Sequence, residues 1–174
     1  MHMKGIFGLS LFVILTSLQS VSAHGGEESE GLSNLQIMLI SLAISAVFYF
    51  LFRKLSDSES NANNGLLLTL VAYTGTVHIL LGINDMIFLL GGLGIIAIAT
   101  APFVTEIARS RERLLQPALA LLALTMFIAY FVSNHDLHYI AEDYLGLTTK
   151  LSEIGIIGLV INHNKNKSQS EIGE

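Results

Sequence analysis

The stretch TVHILLGINDMIFLL, residues 76–90, joins two apolar segments through the short turn GIND. Gly82 allows a helix to break there, and the chain then folds back into a second helix. Asn84 or Asp85 is placed to cap that second helix by accepting its free backbone N–H groups. The same stretch carries His78 among apolar residues, where a polar side chain is costly and needs a partner or a function.

The surrounding composition indicates an integral membrane protein. The 174 residues are 52% hydrophobic and only 13% charged, and the apolar residues come in long blocks. We predict an all-α, polytopic membrane helical bundle of four to five transmembrane helices. The predicted spans are 35–52, 65–82, 86–105, 114–133 and a shorter, polar-starting 147–161.

The two ends of the chain are predicted to lie outside the bundle. Residues 1–23 have the features of a signal peptide cleaved after Ala23, although an uncleaved first span is the alternative. The remaining domains are an extracytoplasmic segment at 24–34, the bundle at 35–162 and a disordered cytoplasmic tail at 163–174.

The basic residues predict the orientation, because cytoplasmic loops retain lysine and arginine. If the spans alternate, Lys150 is the one basic residue outside; Arg53, Lys54, Arg109, Arg111, Arg113, Lys165 and Lys167 fall inside. We therefore expect a multi-pass protein of the cytoplasmic membrane, with its N-terminus outside and its C-terminus inside. A net charge of -5 gives no case for nucleic-acid binding. The absence of cysteine excludes thiolates both as metal ligands and as nucleophiles.

Histidines concentrate on the predicted outer face. His78 lies about one turn below that face, and Asp85 can approach it if the helix breaks at Gly82. A helix cap for Asp85 and one interhelical hydrogen bond for His78 are the structural alternatives.

A short amphipathic surface helix is predicted near residues 135–145. His135, His138 and Glu142 share its polar face, a spacing that suits Zn, Cu or Ni, although an interfacial helix also needs polar residues. His24 would add its amine and imidazole after cleavage, as in a copper-binding histidine brace. The candidate metal ligands are His78, Asp85, His135, His138, Glu142 and His24. Metal binding should weaken as the pH falls through roughly 6.5, where free imidazole takes up a proton.

The segments AHGG and HILLGINDMIFLL resemble the HupE/UreJ family of small membrane proteins associated with nickel supply to hydrogenase and urease. His78 and Gly82 match the family's histidine and glycine. Its following Asp-His pair falls on Asn84 and Asp85, so the second imidazole is missing. The resemblance covers less than a quarter of the chain and implies metal handling on the outer face.

Two functions follow as hypotheses. The first is uptake, delivery or accessory handling of a divalent metal ion. The second is a non-catalytic structural or assembly subunit of a larger membrane complex, such as a copper membrane oxygenase. No acid or base is expected in the middle of a span, which argues against a permeation route. No catalytic set is found, so we expect no catalysis by this chain alone. A lipid bilayer and a homo-oligomer or other membrane subunits are the expected partners.

Overall fold

A computed structural model describes residues 31–55, 60–83, 85–134 and 137–172. These residues are helical throughout, apart from short connections. The helices are α1 (Asn34–Leu55), α2 (Ser60–Leu81), α3 (Met86–Val104), α4 (Glu106–Ser110), α5 (Glu112–Ser133), α6 (Leu137–Glu142) and α7 (Tyr144–Ile172).

Five helices of the described chain are long and apolar enough to cross a membrane, as the sequence predicts. Their candidate spans are Asn34–Arg53, Asn64–Leu81, Met86–Val104, Glu112–Ser133 and Tyr144–Lys165. The last of these starts earlier than the predicted 147–161, and its helix continues to Ile172, beyond the expected start of the tail at residue 163. This architecture is compatible with a multi-pass membrane protein.

Helix α2 lies at the centre of the arrangement. It packs against α1, α3 and α7, while α5 packs against both α3 and α7 and so closes a four-helix bundle, with α1 outside it on α2. The main apolar core fills this bundle and comprises Leu68, Val71, Ile95, Ala99, Leu119, Ala123, Met126, Ile156 and Val160.

The turn between α2 and α3 forms as the sequence predicts. Helix α2 ends at Leu81, directly before Gly82, and the Asp85 carboxylate accepts a 2.9 Å hydrogen bond from the Ile87 N–H. Farther along, α2 and α3 approach closely at Gly75 and Gly92. A Cβ atom on Gly92 would lie 2.6 Å from the Gly75 carbonyl oxygen, so this contact requires the glycine. The close approach fixes the depth of α2, and therefore of His78, in the bundle.

The outer faces of the bundle are apolar. The candidate spans in α3 and α5 are each only 17% buried within the bundle. These faces need an apolar environment, which lipid or another membrane helix would supply.

Candidate functional site

The most unusual feature of the bundle is an ion pair between Lys150 and Glu153 in its interior. Both residues lie on the inward stripe of α7, which also buries Leu145, Ile156 and Val160. Lys150 is 5% exposed and Glu153 is 0% exposed. The Lys150 ammonium donates to both Glu153 carboxylate oxygens, with Nζ–O distances of 2.7 and 2.8 Å.

Helix α5 closes the site around the Lys150 ammonium. Nζ donates a third hydrogen bond to the Met126 carbonyl oxygen at 3.0 Å, and it lies 5.3 Å from the centroid of the Tyr130 ring. An ammonium has three N–H donors, so these three bonds satisfy it completely, and the ring adds a cation–π contact. The Lys150 Nζ is therefore held beside Glu153 by contacts from both α7 and α5.

Helix α2 contributes His78, which is 5% exposed, on the other side of Glu153. Its Nδ1 atom lies 2.9 Å from the Thr74 carbonyl oxygen, one turn earlier. A carbonyl only accepts, so Nδ1 carries a hydrogen and donates it. Nε2 lies 3.8 Å from Glu153 Oε1, which is beyond hydrogen-bond range. In a neutral ring this atom presents a lone pair to the carboxylate.

Two further groups line the histidine. The Phe88 ring of α3 lies 5.6 Å from the imidazole, centroid to centroid. The Thr74 hydroxyl is fully buried and has no hydrogen-bond partner among the residues that the structure describes. The cluster thus combines three ionisable side chains with an unsatisfied hydroxyl on its α2 side.

The expectation that no acid or base lies in the middle of a span is wrong for the fifth candidate span, Tyr144–Lys165, because Glu153 lies near its midpoint. Lys150, which the alternation of the spans places outside, also lies in the interior of the bundle. Since α7 begins at Tyr144, Glu153 lies roughly 14 Å along its axis, at 1.5 Å per residue. His78 lies three residues before the end of α2, so the cluster is below the end of the bundle and not on its surface.

The four predicted metal ligands that the structure describes do not form one group. His78 joins the buried cluster, whereas Asp85 is exposed and caps α3. His138 and Glu142 lie together on α6, with 3.2 Å between Nε2 and Oε1, and both are exposed. His24 and His135 lie outside the described residues. Within those residues, no three or more His, Cys, Asp or Glu side chains come close enough to hold a metal ion.

Comparison with protein-family models, curated proteins and solved structures finds no match to this chain. The function is therefore inferred from the geometry of the cluster. Sequence analysis missed Lys150 and Glu153, although their i, i+3 spacing inside an apolar segment was a usable signal. Opposite charges at that spacing lie on one face of a helix and can neutralise each other there.

Proposed function

We propose that this chain is a multi-pass membrane protein that binds and transfers protons at the cluster of His78, Lys150 and Glu153. The observation that carries the proposal is a fully buried carboxylate facing an imidazole Nε2 at 3.8 Å without a hydrogen bond between them. Ionisable groups within membrane segments are expensive, and proton relays are among the functions that use them.

Counting hydrogens explains why a proton suits this site. The Nδ1 hydrogen is engaged by Thr74, and the three Lys150 N–H groups are engaged by Glu153 and Met126. The gap between Nε2 and Glu153 is thus the place where one more hydrogen forms a new bond. A proton there converts two facing acceptors into a charge-assisted pair. A divalent metal would instead have to share the carboxylate with the Lys150 ammonium, which already contacts both oxygens.

Proton movement across liposomes tests the proposal. Purified protein is reconstituted around a pH-sensitive dye, and internal pH is followed after a pH step under an imposed potential. We expect wild type to equilibrate faster than His78→Gln and Glu153→Gln, since neither amide takes up a proton in this range. Asp85→Asn is the matched control because Asp85 is exposed and outside the cluster. Equal rates for wild type and both cluster variants would overturn the proposal.

The alternative of a non-catalytic subunit is favoured by the complete satisfaction of the Lys150 ammonium. A buried ion pair of this kind can serve to fix helix packing. The double substitution Lys150→Met with Glu153→Leu separates the two functions, because well-packed apolar residues can replace a buried ion pair without loss of stability. Loss of proton movement in a folded double variant supports the proton site, whereas unchanged movement supports the structural function.

A divalent metal site on α6 is the second candidate function. This candidate is supported by the 3.2 Å separation of His138 Nε2 and Glu142 Oε1, because an imidazole and a carboxylate this close can share one Cu, Ni or Zn ion. His135 and His24 are the proposed additional ligands. Calorimetry with each metal tests this candidate: His138→Ala should lose binding that His163→Ala retains. Equal binding by the two variants would leave His138 and Glu142 as an ordinary surface pair.

The proposed orientation places the N-terminus outside and the C-terminus inside the cytoplasmic membrane, supported by the arginines at 109–113. The native chain has no cysteine, so single substitutions can report sidedness. A cysteine at Ser133 should react with an impermeant thiol reagent in intact cells, and one at Ser110 should not. The reverse result would invert the orientation. The apolar outer faces also suit a homo-oligomer or other membrane subunits, which crosslinking in native membranes would detect.

A further inference from the structure

Tyr130 lies between the buried cluster and the partly exposed end of the bundle. Its ring covers the Lys150 ammonium at 5.3 Å, while its hydroxyl donates a 2.9 Å hydrogen bond to Asp143 Oδ2. Tyr130 and Asp143 are each half-buried, whereas Lys150 and Glu153 are buried. One aromatic side chain therefore contacts the cluster with its face and a more accessible carboxylate with its hydroxyl.

Asp143 occupies the single-residue connection between α6 and α7. Its Oδ1 accepts a 2.9 Å hydrogen bond from the Gly146 N–H, so the carboxylate also caps the first turn of α7. The position of Tyr130 depends on Gly146 as well. A Cβ atom there would lie 2.5 Å from the Tyr130 hydroxyl and 2.7 Å from its Cε2, and it would also collide with Asp143 Oδ2. Glycine is thus required for this pair to close over the cluster.

We propose that Tyr130 and Asp143 form a latch that controls access of water and protons to the Lys150–Glu153–His78 cluster. The inference deepens the proposed proton function and rests on it for its biological meaning. When the hydroxyl–carboxylate bond is made, the ring shields Lys150. When it breaks, the ring can rotate away and expose the ammonium to the surface that carries α6.

The latch has a defined set of neighbours. Lys150 faces the Tyr130 ring from α7, and Glu153 and His78 lie beyond Lys150 in the cluster. The Asn134 side chain donates to the Tyr130 carbonyl oxygen at 2.8 Å, which ends α5 beside the latch. The Tyr130 ring carries the hydroxyl that bonds Asp143, and its face covers the Lys150 ammonium. Movement of the ring therefore changes the surroundings of Asp143 and Lys150 together.

Thiol labelling tests the latch without relying on proton movement. A single cysteine in place of Lys150 is the reporter, and methanethiosulfonate ethylammonium is the reagent because it restores a positive charge there. Tyr130→Phe keeps the ring but removes the hydrogen bond to Asp143. Loss of a hydrogen bond to a charged group should raise the labelling rate roughly tenfold. A second single-cysteine variant carries the reporter at Thr149, which is also buried. It allows the same measurement if the variant with the reporter at Lys150 does not fold.

Glycine substitutions provide a matched pair of variants on α7. Gly146→Ala forces Tyr130 and Asp143 apart, so it should speed labelling as Tyr130→Phe does. Gly158→Ala is the control, since a Cβ atom there meets no atom of the described residues within 4 Å. Unchanged or slower labelling in both Tyr130→Phe and Gly146→Ala would overturn the latch.

Proton movement in liposomes then separates failure of the latch from failure of the proposed function. The latch predicts faster proton equilibration in Tyr130→Phe than in wild type. If Tyr130→Phe and wild type equilibrate at the same rate, and wild-type proton movement is lost in His78→Gln, the latch is overturned and the proton site is kept. Faster labelling with no His78-dependent proton movement keeps the latch as an access barrier and overturns the proton function.

Discussion

Removing one partner of the Lys150–Glu153 ion pair should lower the free energy of unfolding far more than removing both partners. Glu153→Leu removes two of the three hydrogen bonds of a Lys150 ammonium that is only 5% exposed. At about 1.5–3 kcal/mol for each bond to a charged group, the loss is roughly 3–6 kcal/mol. Lys150→Met leaves a carboxylate buried without its counter-charge and should cost about 3–5 kcal/mol. The free energy of unfolding of the double variant should lie within about 1 kcal/mol of the wild-type value or above it.

The assay is unfolding in mixed micelles titrated with dodecyl sulfate and followed by circular dichroism. The two single variants and the double variant form a thermodynamic cycle, whose coupling free energy should exceed about 3 kcal/mol. The exposed pair His138 and Glu142 provides the control cycle, with an expected coupling below about 1 kcal/mol because water screens it. Additive effects at Lys150 and Glu153, within about 0.5 kcal/mol, would refute a buried ion pair.

Two further predictions concern the elements that position the cluster. Gly92→Ala should lower the free energy of unfolding by about 1–3 kcal/mol, because its Cβ atom would press on the Gly75 carbonyl oxygen. Gly158→Ala is the control and should change the free energy of unfolding by less than about 0.5 kcal/mol. Similar costs for the two alanines would contradict the close approach of α2 and α3. Asp85→Ala should lower the free energy of unfolding by about 1 kcal/mol through loss of the cap on the Ile87 N–H, with proton movement unchanged; a fall in proton movement would place Asp85 in the functional site.

The fold was largely predictable from the sequence because its signals are local. Long apolar segments determined the spans, and Gly82 with Asp85 determined the turn and cap between α2 and α3. Burial of His78 was also predictable, since Thr74, Gly75 and Gly82 mark a side of α2 suited to protein contacts. These features depend on spacing within one helix or on one turn.

The partner of His78 could not be identified in the same way. Asp85 is only seven residues away in the chain, but its carboxylate caps α3, while Glu153 approaches from another helix. Which helix faces α2, and how deeply a charged residue lies, are tertiary properties that no single segment contains. The alternation of the spans predicts that Lys150 lies outside, because this rule assigns a side to each loop and does not indicate how deeply a residue lies in the bundle. Here Glu153 and Met126 satisfy Lys150 inside the bundle.

Nitrogen-15 NMR of the histidine side chains shows directly whether His78 takes up a proton beside Glu153. His78 is assigned by comparison with His78→Gln, and its ring nitrogens are followed across the pH range in which the protein stays folded. We expect a neutral ring with hydrogen on Nδ1 at high pH and a second hydrogen on Nε2 as the pH falls, with this change altered in Glu153→Gln. A ring that carries its hydrogen on Nε2, or one whose state is constant and insensitive to Glu153→Gln, would contradict the proton site.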